Sequence, residues 1–461
     1  MSKNAPVLAK GLWSLTWPLL WSLLLSLSLS FVDAFFLSRV SDRAAAAVGA
    51  LLPVIGMTIM AFSPLAQAGA SVAGQLTGAG RHEQVPGTYL ALVLMNGAFG
   101  LCASALFIAF AGHVPRWLGL DPAMAHDATT YLRIVGGFIF VRAVQIGFTN
   151  ILNSRGETRW TLAEAAFTNA LHLVLNTAFL EGWFGIPRWG VAGIATSTVI
   201  SLGVGLSFTM CVVRFKLGVR LPWSSPWAIV KERLRPILRI GLPSALEPIS
   251  FQCTQLVLNL MIIRLGAQVL AARVYAFNFF MVSTILWAVA FGIGTQISIA
   301  HRVGAGRHDD ASRVLGRALR TTICGNLCWC ALLALVHPLL LTQLTTDAAV
   351  IEAAHPIFLL APLVEAGRAA NIVCGGALRA CGDSRFTAVV GTSLMWCLGV
   401  PLAYLLSTRL GLGLAGIWLA MGIDECSRGC MNYLRWRHGR WRQLGVVPAP
   451  AASLAEPSPS V

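Results

Sequence analysis

The 461-residue sequence predicts an all-α, polytopic membrane protein: twelve transmembrane helices in two six-helix bundles, related by a pseudo-two-fold axis along the membrane normal. Three observations lead there: a shortage of charge, twelve apolar runs of membrane length, and an internal duplication.

Charged residues make up 11% of the chain and hydrophobic residues 56%. A soluble protein carries about 25% charged residues. Mean hydropathy is +0.71. So few charges cannot cover a soluble surface, and lipid must be the solvent for most of it. A bilayer core needs roughly 20 apolar residues per helix. Such runs fall near 12–38, 46–76, 87–112, 129–152, 160–184, 190–213, 237–263, 269–299, 316–342, 355–378, 386–407 and 412–434. They divide the chain into a first six-helix lobe (1–213), a basic cytoplasmic connector (214–236), a second six-helix lobe (237–434) and a cytoplasmic tail (435–461). The tail is rich in Ala, Pro and Ser from about residue 446 and reads as largely disordered.

The net charge is +15, from 34 Lys and Arg against 19 Asp and Glu. These basic residues are scattered through short loops and form no single patch, so they point to membrane orientation and away from nucleic acid. An even number of helices puts both termini on one side. With the termini inside, the inner loops hold 22 Lys and Arg, and the outer loops hold only the 6 at Arg39, Arg43, Arg116, Arg188, Arg264 and Arg409. Both termini are therefore expected in the cytoplasm, with the protein multi-pass in the inner membrane. The first apolar run is too long for a cleavable signal and lacks a small-residue cleavage site. Nearly all 11 cysteines lie inside apolar runs, including Cys324, Cys328 and Cys330, and read as small buried hydrophobes. No paired metal ligands, nucleophile elbow or phosphate loop is present, so neither an enzyme nor a cofactor is expected.

The duplication shows in three short matches. GQLTGAGRHEQ at 74–84 matches HRVGAGRHDDA at 301–311, with GAGRH starting at Gly78 and Gly304. SRGETR at 154–159 matches ACGDSR at 380–385, aligning Gly156 with Gly382 and Arg159 with Arg385. GVAG at 190–193 matches GLAG at 413–416. The first two offsets are 226 and the third is 223. A repeat holding six helices keeps its orientation on duplication, which gives an axis along the membrane normal and a cleft between the copies. Transporters bind solute in such clefts. In each GAGR loop a glycine is placed to end a helix in the left-handed conformation.

These segments, taken in order, are similar to the multidrug and toxic compound extrusion (MATE) transporters over nearly the whole chain. Pro18 and FVDAFFLSRVSDRAAAAVG at 31–49 resemble the family's first-helix pattern, with an acid near the outer end. SVAGQLTGAGRHEQ resembles its second-helix exit, RGETR its fourth-to-fifth helix loop, and EGWFGIPRWGVAGIATS at 181–197 its fifth-to-sixth helix hairpin. GLPSALE at 241–247 resembles its seventh-helix entry and GALRACGDSR at 376–385 its tenth-to-eleventh helix loop. The resemblance implies two lobes, a central cavity open alternately to either side, and efflux of bulky amphipathic solutes in exchange for H+ or Na+.

Ionisable residues inside apolar helices cost about 2.5–3.5 kcal/mol each at the bilayer centre and mark functional candidates. Asp33 lies roughly 6–9 Å below the outer end of the first helix by the 1.5 Å rise per residue. Asn176 lies roughly 12 Å deep on the fifth helix, with His172 one turn away on the same face. These three can converge in the outer half of the first lobe, where a carboxylate beside an imidazole would handle protons. A hydrogen-bonded interior histidine is an equally open reading of His172. The family's fifth helix often has Asn where His172 stands and Asp where Asn176 stands; this chain has neither, which leaves Asp33 as the retained acid.

In the second lobe the candidates for substrate or cation contact are Glu247, Gln252, Arg273, Glu365 and Arg368. Glu247 could bind a cation or pair with Arg273 or Arg368. The family's seventh-helix acid falls one turn further on, where this chain has Phe251 beside Gln252. Glu365 and Arg368 are three apart and form a natural intrahelical pair. The family's sodium-coupled branch carries an acid where Arg368 stands, so protons are favoured over sodium. Arg142 and Arg273 are expected to pair with Glu164 and Glu247, and one of Asp424 and Glu425 with Arg428. The resulting reading is a cation-coupled antiporter, H+ before Na+, that exports organic cations or amphipathic drugs as a monomer in the bilayer. A lipid-linked oligosaccharide flippase of the same superfamily is the alternative, because Arg142, Arg273 and Arg368 could hold a pyrophosphate.

Overall fold

The computed structural model describes residues 7–185 and 188–446, with the Phe184 side chain left aside. Lys3, the Ile186–Pro187 part of the fifth-to-sixth helix hairpin and the tail from 447 lie outside that range. Twelve long helices run in order. Helix 1 is Leu12–Val40, helix 2 Leu52–Gly78, helix 3 Val85–Phe110, and helix 4 Pro122–Gly136 with Ile139–Ser154. Helix 5 is Thr158–Glu181, helix 6 Gly190–Lys216, helix 7 Trp227–Ile263 and helix 8 Ala267–Gly304. Helix 9 is His308–Thr342, helix 10 Ala348–Ala380, helix 11 Ser384–Arg409 and helix 12 Gly413–Arg437. No strand occurs among the described residues. Large side chains such as Trp13, Phe31, Leu256 and Leu335 are exposed, as lipid-facing residues must be.

Nine of these helices are long and apolar enough to cross a membrane, and helix 4 makes a tenth when its two pieces, bent by 40°, count as one span. The two left over are helices 5 and 12. Helix 5 carries Arg159, Glu164, Asn169, His172 and Asn176, and helix 12 carries Asp424, Glu425 and Arg428. Each falls short because of the polar residues it carries.

The chain forms two compact units. One comprises residues 21–73 and 82–241, here the first lobe; the other comprises 1–20, 74–81 and 242–461, here the second. The start of helix 1 and the C-terminal end of helix 2 therefore belong with the second lobe, whereas the sequence suggested one cut between 213 and 237. The connector is also shorter than its charge suggested. Helix 7 starts at Trp227, because a helix outside the lipid has no need to be apolar. Likewise the chain beyond 435 is not all loose: helix 12 reaches Arg437, and Trp441 is buried against Trp436 with ring centroids 4.0 Å apart. Val446 N–H then donates to Gln75 Oε1 at 2.9 Å, while Gln75 Nε2 donates to the Ala380 carbonyl at 2.6 Å.

The duplicated glycines share their backbone state. Gly80 and Gly306 have φ of 74° and 72°, Gly156 and Gly382 67° and 91°, and Gly190 and Gly413 both 53°. Within the second lobe the matched GAGR turns also pack on each other. A Cβ on Gly78 would collide with the His301 carbonyl, and one on Gly304 with the Gln75 carbonyl. Glycine is required there by backbone contact as well as by the turn.

Among the described residues, five short π-helical turns interrupt the helices, at 132–136, 212–216, 281–285, 395–399 and 405–409. Such bulges recur at functional sites. Three of them adjoin the polar clusters described next.

Candidate functional site

In the first lobe, helices 1 and 5 bring the three anticipated residues together. His172 Nε2 lies 3.1 Å from Asp33 Oδ1. Asn176 Nδ2 lies 3.3 Å from the same imidazole nitrogen and 3.5 Å from Asp33 Oδ1. His172 and Asn176 are fully buried, and the Asp33 side chain keeps 14% exposure. Helix 6 completes the cluster, with Thr198 Oγ1 at 3.3 Å from His172 Nε2 and Ser197 Oγ donating to Asn176 Oδ1. From helix 4, the buried Tyr131 lies beside this cluster. Sequence reasoning missed Ser197, Thr198 and Tyr131. The available signal was the run of small hydroxyl residues in ATSTVIS, which reads as ordinary helix packing.

The arrangement allows proton exchange. All three neighbours of the imidazole crowd one nitrogen, Nε2. His172 Nδ1 is buried and has no partner among the described residues. A doubly protonated ring would leave a buried N–H unsatisfied. Asp33 Oδ1 and His172 Nε2 are close enough to pass a proton between them.

Deeper in the first lobe, Arg142 does not reach Glu164 as expected. Arg142 Nη1 donates to Gln145 Oε1 at 2.9 Å, and Gln145 Nε2 donates on to Glu164 Oε1. Thr168 Oγ1 donates to the same carboxylate oxygen at 2.9 Å. A glutamine therefore stands between the charges.

The second lobe is built differently. Arg368 Nη1 donates to Glu365 Oε1 at 2.6 Å, the intrahelical pair seen in the sequence, but its Nε also faces Glu425 Oε1 at 3.3 Å. Arg428 reaches Asp424 at 2.8 Å and Glu425 at 3.0 Å. Thr284, in the π-turn of helix 8, donates to Glu365 Oε2 at 2.8 Å, and Asn371 donates to Glu425 Oε2 at 3.1 Å. Glu247 pairs with Arg379 at 3.3 Å and Arg428 at 3.7 Å, so its expected partners Arg273 and Arg368 are both corrected. Arg273 donates instead to Gln255 Oε1 at 2.7 Å. Gln252 is half-buried and takes no part in this network. The sequence joined residues one helical turn apart; it carried no sign of which helix faces which. Among the described residues no group of three metal-binding side chains occurs.

Two lobes of bundled helices, each with an ionisable cluster buried at membrane depth, define a polytopic membrane transporter. The comparisons agree. The family model MatE matches residues 18–178 and 243–405, which together span most of the chain. The sequence is 32% identical over 436 residues to the uncharacterized transporter YisQ of Bacillus subtilis, covering 95% of this chain and 96% of that one. It is 24% identical over 451 residues to the probable multidrug resistance protein NorM of Thermotoga maritima, with 96% of each covered. Among solved structures, the outward-facing conformation of a multidrug resistance MATE family transporter superposes with a TM-score of 0.86 at 19% identity, covering 96% of this chain and 99% of that one. The chain belongs to the MatE family: it is a multi-pass membrane transporter and not an enzyme.

Proposed function

We propose that the protein is a proton-coupled antiporter that exports organic cations or amphipathic drugs by alternating access. It would act as a monomer in the cytoplasmic membrane, with both termini in the cytoplasm. The contact between Asp33 and His172 carries the reading. An acid with partial access, hydrogen-bonded to a buried base, can take a proton on one side of the membrane and release it on the other as its access changes. The printed names of relatives, including multidrug resistance proteins from Thermotoga maritima and Edwardsiella ictaluri, support the substrate class. The ligand set favours H+ over Na+, since the Asp33 cluster offers an imidazole nitrogen at the point where sodium would want oxygen. The flippase reading loses support, because Arg142, Arg273 and Arg368 already donate to Gln145, Gln255 and Glu365.

The test is reconstitution with an imposed pH or sodium gradient, following ethidium movement. A pH gradient should drive export, and Asp33→Asn should slow it at least tenfold, about 1.4 kcal/mol. Movement with neither gradient, or an unchanged rate in Asp33→Asn, overturns the proposal.

A further inference from the structure

We propose that Asp424, on helix 12, is a second proton-binding site, with the proton held on Oδ1 inside the second lobe. It is separate from the Asp33 cluster and does not depend on the role given to it.

The first support is an unsatisfied atom. Asp424 is 6% exposed, and its Oδ1 is buried with no hydrogen-bond partner among the described residues. Its other oxygen, Oδ2, takes both contacts from Arg428, at 3.0 Å from Nε and 2.8 Å from Nη2. An ionised carboxylate with one oxygen left bare in a buried setting lacks half of its stabilisation. Protonation at Oδ1 removes the charge and creates a donor.

The second support is a count of charges. The buried core of the cluster has three carboxylates, Glu365, Asp424 and Glu425, against two guanidiniums, Arg368 and Arg428. The half-buried pair of Glu247 and Arg379 adds one of each sign and leaves the surplus unchanged. Across the cavity, Arg273 keeps its positive charge but donates to the neutral Gln255 and makes no ion pair with these acids among the described residues. Helix 11 has no Asp, Glu, His, Lys or Arg between its terminal Arg385 and Arg409. Within the ion-paired core one carboxylate is therefore left without a guanidinium of its own. Glu365 and Glu425 each accept from a guanidinium and from an uncharged side chain, so Asp424 is the acid left with an open position.

The third support is the surroundings. The Asp424 carboxylate borders a small cavity lined by Thr254, Gln255, Leu258, Met395, Gly399 and Met421. Met395 and Gly399 are the ends of a π-turn in helix 11, and a Cβ on Gly399 would sit 3.5 Å from Asp424 Oδ1. Thr254 Oγ1 donates to the Phe251 carbonyl and keeps its lone pairs, while Gln255 Oε1 is taken by Arg273. Few oxygens remain to replace the hydration shell of a metal cation, whereas a proton needs only one.

Infrared spectroscopy of the full-length protein in lipid nanodiscs tests this. A C=O stretch from a protonated carboxylic acid should be present at neutral pH, shift with ¹³C-aspartate labelling, and disappear in Asp424→Asn. It should persist in Asp33→Asn and in Glu425→Gln. A band that ignores the aspartate label, survives Asp424→Asn, or is displaced by sodium at fixed pH overturns the proposal. Should Asp424→Asn fail to fold, the labelled Asp33→Asn protein still decides: the shifted band must remain. The readout needs no transport, so failure here leaves the coupling role of Asp33 standing.

Discussion

The two polar clusters occupy lobes that descend from one duplicated unit, yet they solve the problem of buried charge in opposite ways. In the first lobe, one acid and one imidazole sit among neutral donors, Asn176, Ser197 and Thr198. In the second, carboxylates are held by arginines. The divergence can be followed along helices 6 and 12. At the 223 offset, Ser201, Leu202 and Gly205 stand where helix 12 has Asp424, Glu425 and Arg428. The place of Arg428 is empty in the first lobe, so Gly205 lets Glu164, Thr168 and Gln145 close in against the backbone. A neutral cluster with one titrating pair can change charge at low cost. An ion-paired cluster resists such change and fixes helices 7, 10 and 12 in place. On the function proposed above, the first lobe would move protons and the second, with one stored proton, would hold its helices rigid.

The largest test of that contrast is Arg428→Met. It strips the cation shared by Asp424, Glu425 and Glu247 and leaves buried acids uncompensated. Breaking a buried pair from one side costs about 3–5 kcal/mol. The midpoint of thermal unfolding in detergent should fall clearly, and Arg428→Met combined with Glu425→Leu should recover part of it. A loss no greater than that of His172→Leu in the first lobe would erase the distinction between the clusters.

A smaller effect is expected where the duplicated turns meet. Gly304→Ala pushes a methyl into the Gln75 carbonyl, and overpacking of this kind costs about 1–3 kcal/mol. Gly316→Ala on helix 9 provides the control, since nothing lies within 4 Å of its new Cβ. There the backbone entropy term alone should raise stability by about 0.5–1 kcal/mol. Equal unfolding midpoints for the two variants would mean that the GAGR contact is not tight.

The sequence made the twelve helices legible because membrane-length apolar runs are set by bilayer thickness, and the duplication because its turns need glycine. The convergence of Asp33, His172 and Asn176 followed from depth and helical phase, with support from the family resemblance. Partners across helices were beyond that reasoning. Glu247 finds Arg379 and Arg428, and Arg273 finds Gln255, because packing sets the azimuth of each helix and no local pattern encodes it. The start of helix 7 at Trp227 was hidden for a related reason: hydropathy marks where lipid ends, not where the helix ends.

The finest test separates a titrating imidazole from a merely structural one. His172→Gln keeps an amide able to donate to Asp33 but removes a group that ionises near neutral pH. Its folding should be close to that of the parent, since Asn176 and Thr198 remain to satisfy the replacement. Proton-driven export should fall about tenfold, ~1.4 kcal/mol, and its pH profile should change shape, because Asp33 loses the base with which it exchanges a proton. Ethidium efflux measured across a pH series checks both. An unchanged profile with a uniformly lower rate would make His172 a positioning residue for Asp33, and the first lobe would then carry its protons on one carboxylate alone.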